Sequence, residues 1–215
     1  MTDPTAVTGP ARPGLSVAVG TATDAWYSGE ADRGYPSASI VKVSILAALL
    51  ARGRPLEAHH REWARDAIVS SDNDAATALW RDLGGPGALD AAHARLGLTG
   101  TTADPAWGLT RTTARDQLTL LRAVFREPVY APLRELMGRV RADQAWGVSA
   151  AGPGDGGRAL KNGWMPMRAT GLWVVHSVGR VDGRLVVALS DGHPSKEAGI
   201  ARVEAAVREA VAAAP

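Results

Sequence analysis

The feature that most constrains this chain is the run SIVKVSILAALLA, residues 39–51, in which Ser39, Lys42 and Ser44 are the only polar side chains and Lys42 carries the only charge. A helix that is apolar all round belongs in a protein interior. A lone ammonium in such a helix must find partners, snorkel or give up its proton, because burying it unpaired is costly. Two readings fit. Lys42 stands within a turn of the helix start, where its stem can run along apolar neighbours and leave the head in water. Alternatively, the three-residue spacing puts Ser39 beside Lys42 on one helical face, at an N-terminus where backbone N–H groups point outward. A hydroxyl beside a desolvated amine is an activated nucleophile.

An interior helix needs a domain around it. At 215 residues and 46% hydrophobic composition, the chain suits one large domain or two small ones with an ample core. No run reaches the length of a membrane-spanning helix, and the opening MTDPTAVTGPARPG has neither the basic nor the apolar region of a signal peptide. The expected compartment is therefore the cytoplasm, or an export signal lies outside this sequence. Without cysteine there is no disulfide and no thiolate metal site. The balance of 24 Lys+Arg against 22 Asp+Glu, with dispersed arginines, points to no nucleic-acid partner.

Along the chain, residues 1–14 read as a Pro-rich flexible tail, followed by two paired strands, LSVAV at 15–19 and a second around AWYSG. From residue 36 to about 144 the pattern is helical. It comprises the apolar helix, PLEAHHREWARDAIV, DAATALWRDLGG, TTARDQLTLLRAVF with a capping-box pattern Thr113 to Asp116, and PLRELMGRV. After the loop AGPGDGG, strands return at RALKNGW, GLWVVHSVG and GRLVVALS, the last two joined through Asp182-Gly183, a hairpin signal. A helix over 195–213 closes the chain. An isolated hairpin cannot bury a face, so the early and late strands share one antiparallel sheet in an α/β (α+β) fold. Residues 15–35 and 150–215 make a sheet region with the C-terminal helix, and residues 36–149 an inserted all-helical region. The crevice between the two is the expected small-molecule site of a single catalytic unit.

Two further clusters are weak alone. Ser71-Asp72-Asn73 reads as N-cap chemistry for the next helix. Lys161 in LKNGW reads as an ordinary solvent-facing cation at a strand end, and Gly163 as a place where a ligand approaches the backbone. In the order Ser39-x-x-Lys42, Ser71-Asp72-Asn73, Lys161-Asn162-Gly163, they resemble the S-x-x-K, S-D-N and K-T-G set of class A β-lactamases and penicillin-binding proteins. The segments SASIVK, SDNDAA, WGLTRTTARDQ, QAWGVSA, LKNGW and LSDGHPS look like a compact actinobacterial group of class A β-lactamase-related serine hydrolases.

The resemblance implies a β-lactamase/DD-peptidase-like fold and a covalent Ser39 ester formed on an amide or lactam. In that scheme Lys42 accepts or tunes a proton beside Ser39, and Ser71 relays it to the leaving group. Asn73 shares their hydrogen-bond network and Asp72 is structural. Lys161 offers positive potential to a substrate carboxylate or to the relay, Asn162 an amide in place of the family's threonine, and the N–H groups of Ser39 and Trp164 an oxyanion hole. The chain departs from the family in the short loop TGTTADPAWGLT, which lacks the glutamate that activates the deacylating water. Asp104 is its only carboxylate, and Asp before Pro is also an ordinary turn signal. The alternatives are a D-Ala-D-Ala-type peptidase or an acyltransferase to an amine, and a non-hydrolytic receptor. The partner is a small-molecule or peptide substrate, with no cofactor.

Other motifs lead elsewhere. Gly152, Gly154 and Gly157 satisfy G-x-G-x-x-G, but Pro153 sits inside and no helix follows, so no dinucleotide site is expected. His59-His60 lacks metal-ligand spacing and reads as a solvated surface, with no metal. His176 reads as a satisfied core histidine, and Val175 stands where a G-x-S-x-G elbow needs glycine.

Overall fold

A computed structural model of the chain describes residues 7–8, 12–153 and 157–214. Most of the tail expected over residues 1–14, and Gly154 in the glycine loop, lie outside them. The elements in chain order are β1 (Val7–Thr8), β2 (Leu15–Gly20), β3 (Ala25–Ser28), β4 (Tyr35–Pro36), α1 (Val41–Leu50), α2 (Ala58–Val69), α3 (Asn73–Leu83) and α4 (Gly85–Leu96). There follow β5 (Arg111–Thr112), α5 (Ala114–Arg126), α6 (Ala131–Met137), β6 (Arg158–Pro166), β7 (Trp173–Val181), β8 (Arg184–His193) and α7 (Lys196–Ala213).

The sheet runs β1-β3-β2-β8-β7-β6. Its five long strands are antiparallel, and β1 adds two residues parallel to β3 at one edge. Early and late strands meet where β2 pairs with β8, Leu15 opposite Ser190 through Gly20 opposite Leu185. The β7–β8 hairpin turns through Asp182 and Gly183 at φ 47° and 86°, the paired positive values that a tight turn between right-twisted strands requires. Helix α5 covers one face of the sheet and α7 the other, so β2 is buried along its whole length and reads as a continuous apolar run rather than an alternating one.

The lysine-bearing helix α1 lies amid α2, α3, α4 and α6, and all ten of its residues are buried. Each fully buried Ile or Leu there contributes about 1.5–3 kcal/mol, enough to hold a helix with no polar face. Helix α4 escapes sequence reading because it opens Gly85-Pro86-Gly87. Proline is tolerated in a first turn, where its missing N–H has no intrahelical partner to lose, and Gly84 at φ 100° ends α3 and starts α4. The capping box of α5 is half made. Thr113 accepts from the N–H of Asp116 at 3.1 Å, but the Asp116 carboxylate turns away to Gly100 N and Thr101 Oγ1 at 2.8 and 2.6 Å. Among the described residues no helix is long and apolar enough to cross a membrane.

Two histidine readings meet different outcomes. His176 is fully buried. Its Nδ1 accepts from Ser190 N at 3.1 Å, which leaves Nε2–H to donate to Pro36 O at 2.8 Å, and burial holds it neutral with a pKa of about 4. His60 is not the solvated residue expected: only 8% of its surface is exposed, because α2 lays it against the end of α3.

Candidate active site

Ser39 occupies a 3-10 turn, Ala38–Ile40, ahead of α1. The strand pair β4–β5 holds this turn from behind, with Ser37 N donating to Thr110 O at 2.7 Å. Strand β6 presses on it from the other side. A Cβ on Gly163 would lie 2.8 Å from the backbone nitrogens of both Ser39 and Ile40, so only glycine lets the strand come this close. The glycine expected to admit a ligand admits the nucleophile segment instead. Its pair partner across the sheet is His176, whose bond to Pro36 fixes the same segment three residues before Ser39.

Three non-glycine residues have positive φ among those described: Ala38 at 47°, Ser71 at 59° and Asp182 in the hairpin turn. The first two flank the crevice, and backbone strain of this kind persists only where surrounding structure enforces it. Ser71 sits in the turn between α2 and α3, followed by Asp72, whose Oδ1 caps α3 by accepting from Ala75 N at 2.7 Å. The cap reading of Asp72 therefore holds.

Lys42 and Lys161 converge on Ser71. Lys42 Nζ donates to Ser71 O at 2.6 Å, Asn73 Oδ1 at 2.8 Å and Ser71 Oγ at 3.3 Å. Lys161 Nζ donates to Ser71 Oγ at 2.8 Å and to Asn162 O at 2.8 Å. Both lysines are 1% exposed, so Lys42 does not snorkel. Burial lowers the Lys42 pKa to about 8, with the Asp72 carboxylate working the other way. Burial and then the charge of Lys42 push Lys161 well below the usual lysine range. Lys161 has no carboxylate among the causes of its shift to offset burial, as Asp72 does for Lys42.

Among the described residues the Ser39 hydroxyl has no hydrogen-bond partner, while the Lys42 ammonium is engaged by Ser71 and Asn73. Two expectations need correction. Lys161 is not a strand-end cation with solvent available, because the Ser71 turn covers it. Asn162 does not offer its amide to the crevice: strand alternation turns it away from Lys161, and Nδ2 donates to Gln144 O at 2.8 Å and Trp146 O at 3.1 Å.

The crevice has a volume of about 690 Å³ and is lined by Ser39, Asn73, Trp107, Trp164, Met165 and Arg168 among others. Trp107 stands 5.1 Å from Lys42 Nζ, and the Trp164 ring carries Lys196 Nζ 3.9 Å above it. No carboxylate is among its lining residues. Asp104 is not among them either. Its Oδ1 accepts from Ala106 N at 2.8 Å and its N–H donates to Thr110 Oγ1 at 3.2 Å, the geometry of an Asp-initiated turn. Sequence reading missed Met165, near the end of β6, and Arg168, in the connection to β7, since neither stands in a motif.

Comparison with known proteins bears on the fold. Residues 54–146 match the β-lactamase enzyme family, a span that includes Ser71, Asn73 and Asp104 but neither Ser39 and Lys42 nor Lys161. No curated protein matches the chain in sequence. In structure it is similar to a β-lactamase from Chitinophaga pinensis, with 18% identity, a TM-score of 0.76 and coverage of 93% of this chain and 94% of that one. It is similar also to a class A β-lactamase representative from Bacteroides cellulosilyticus (14%, 0.76, 92% and 91%) and to an ancestral class A β-lactamase (22%, 0.74, 94% and 95%). The chain therefore has the class A β-lactamase fold, and its residues 54–146 match the β-lactamase enzyme family.

Proposed function

We propose that the chain is a serine acyl-transfer enzyme that forms an ester between Ser39 and the acyl part of an amide or lactam, in a crevice between the sheet region (15–35 and 150–215) and the helical region (36–149). The observation that carries this reading is the sharing of one hydroxyl, Ser71 Oγ, by two buried amines beside a cleft lined by Ser39. A binding module has no use for two desolvated amines on one hydroxyl, whereas a proton relay needs groups that exchange protons near neutral pH.

In the acylation step Ser39 Oγ attacks the carbonyl carbon and loses its proton to the Lys42–Ser71–Lys161 network. The Oγ–C bond forms, the C–N bond breaks, and the leaving nitrogen takes a proton back from Ser71. Burial lowers the pKa of both lysines, so the amine that takes the Ser39 proton, Lys42 on this reading, becomes an ammonium whose proton passes to Ser71 Oγ and restores the hydroxyl. The N–H groups of Ser39 and Trp164 stabilise the oxyanion, each such donor being worth about 3–4 kcal/mol. Asn73, at the mouth, orients the substrate amide.

A second reading is favoured by the absence of a carboxylate among the lining residues. Without a positioned base for water, the ester is passed to an amine that brings its own nucleophile, making the enzyme an acyltransferase or transpeptidase-like. Intact-protein mass spectrometry with a panel of β-lactams, D-Ala-D-Ala peptides and activated esters tests both. One stable adduct per chain, absent in Ser39→Ala, is expected, and its discharge by added amines marks the second reading. Labelling that survives Ser39→Ala, or maps to Ser71, removes the scheme.

A further inference from the structure

The α2–α3 pair carries Ser71 at its closed end and, at its open end, a cluster that the acyl-transfer reading does not use. Glu57, His59 and His60 present one ligand atom each within 4.8 Å of one another, and among the described residues no other group of three or more His, Asp or Glu side chains does so. His60 is the unusual member. It is buried, yet neither ring nitrogen makes a hydrogen bond. Two unpartnered imidazole nitrogens in an interior cost free energy that a ligand would recover. Nε2 lies 3.1 Å from Asp82 Oδ2 on α3, close but not aligned as a bond, so Nδ1 is left without a partner.

The geometry points to a divalent transition-metal site, of the zinc class, formed by Glu57, His59 and His60 Nδ1, with Asp82 holding the other nitrogen of His60. Two imidazoles and a carboxylate are a fitting donor set for zinc, with water as a fourth ligand. Bonds of about 2.1 Å in a tetrahedron separate ligand atoms by about 3.4 Å. His59 Nδ1 and Glu57 Oε2 stand 3.6 Å apart already, and both side chains are exposed enough to close on an ion. A carboxylate behind a ligating histidine is the arrangement that fixes its tautomer. Glu57 is free for the task, since it stands at the N-cap position of α2 without making a cap hydrogen bond.

The opposing charge is accounted for. Arg52 donates to Leu83 O at 2.6 Å and Asp82 O at 3.3 Å and lies 3.7 Å from Asp82 Oδ2, so it balances Asp82 rather than Glu57. Arg61 is engaged by Leu56 O. The ligands do not follow the usual metal-ligand spacing; they come from one helix start, with support from the end of the next helix. An ion there would clamp α2 to α3 roughly 16 Å, about the length of the 11-residue α3, from Ser71.

Tag-free, chelator-treated protein titrated with zinc against a chromogenic chelator tests this, alongside thermal melts. One equivalent should bind, and the melting temperature should rise with the logarithm of zinc concentration once the site is saturated. Asp82→Asn should weaken binding about 10- to 100-fold, the usual loss for an outer partner, and Glu57→Gln with His59→Ala by more. Both altered ligands in that double variant are exposed, so its fold is not at risk as it is in His60→Ala. Ser39 labelling should not respond to zinc, which separates this site from the acyl-transfer reading. No stoichiometric binding, or unchanged affinity in the double variant, overturns the proposal.

Discussion

The two walls of the crevice are furnished unequally. On one side, the Ser71 turn and strand β6 bring two buried amines and two hydroxyl- or amide-bearing groups within hydrogen-bond reach of each other. On the other, the loop over residues 101–110 offers the Trp107 ring and apolar surface, with its single carboxylate folded into a turn. On the proposed reading, the first wall makes an ester and the second does little to break it. On that reading, acylation and deacylation machinery are separable parts of one architecture.

The largest effect should come from the lysine wall. Lys42→Met should slow Ser39 labelling about 10²- to 10⁴-fold, the contribution of a positioned proton acceptor. It should also raise the melting temperature at pH 7. The folded-state pKa of Lys42, about 8 against an ordinary 10.5, means that the unfolded chain keeps a proton which the folded chain releases between those values. Stability from this group is therefore lowest below pH 8 and rises through pH 8 to 10.5, by about 3 kcal/mol in all. Melts at pH 7 and pH 10 should show the wild type gaining on the variant. A variant less stable than wild type at pH 7 would mean that the lost hydrogen bonds outweigh desolvation. Wild-type labelling should climb as pH rises through about 8, and a flat profile would exclude Lys42 as the acceptor.

The junction between the walls comes next. Gly163→Ala puts a methyl group against the Ser39 and Ile40 nitrogens, where backbone rather than a flexible side chain must yield. Overpacking of this kind costs about 1–3 kcal/mol. The displacement falls on the nucleophile, so labelling should drop about 10²-fold, as misplacement by an ångström does. Equal and small losses in stability and labelling would show that the 3-10 turn adjusts freely.

The comparison also explains what could be read in advance. The shared antiparallel sheet, the β7–β8 turn and the buried helix follow from sequence patterns, and Ser39, Lys42, Ser71 and Lys161 stand out through motif order. What escaped depends on contacts distant in sequence. Lys161 looked solvated because its cover, Ser71, lies 90 residues away. Asn162 looked like a crevice residue because its partners, Gln144 and Trp146, belong to an irregular segment with no motif. The 3-10 turn that carries Ser39 is likewise announced by no local residue.

The smallest effect should come from the loop wall, and it is the sharpest test of the asymmetry. If Asp104 activated water, removing its charge would slow ester hydrolysis about 10²- to 10⁴-fold, equivalent to roughly 3–5 kcal/mol of barrier. The geometry argues against this. Asp104 Oδ1 is engaged by Ala106 N, the residue is not among those that line the crevice, and an asparagine can keep the same turn through its own side-chain oxygen. A reactive β-lactam should therefore give a burst of about one equivalent followed by slow turnover, and Asp104→Asn should leave both burst and slow phase within a few-fold of wild type. Stopped-flow absorbance with parallel mass spectrometry of the adduct measures the two phases separately. Collapse of the slow phase alone would make Asp104 the deacylating base and the two walls equal partners, whereas rapid steady-state hydrolysis with no adduct in the wild type would mean that water is activated from the lysine wall itself.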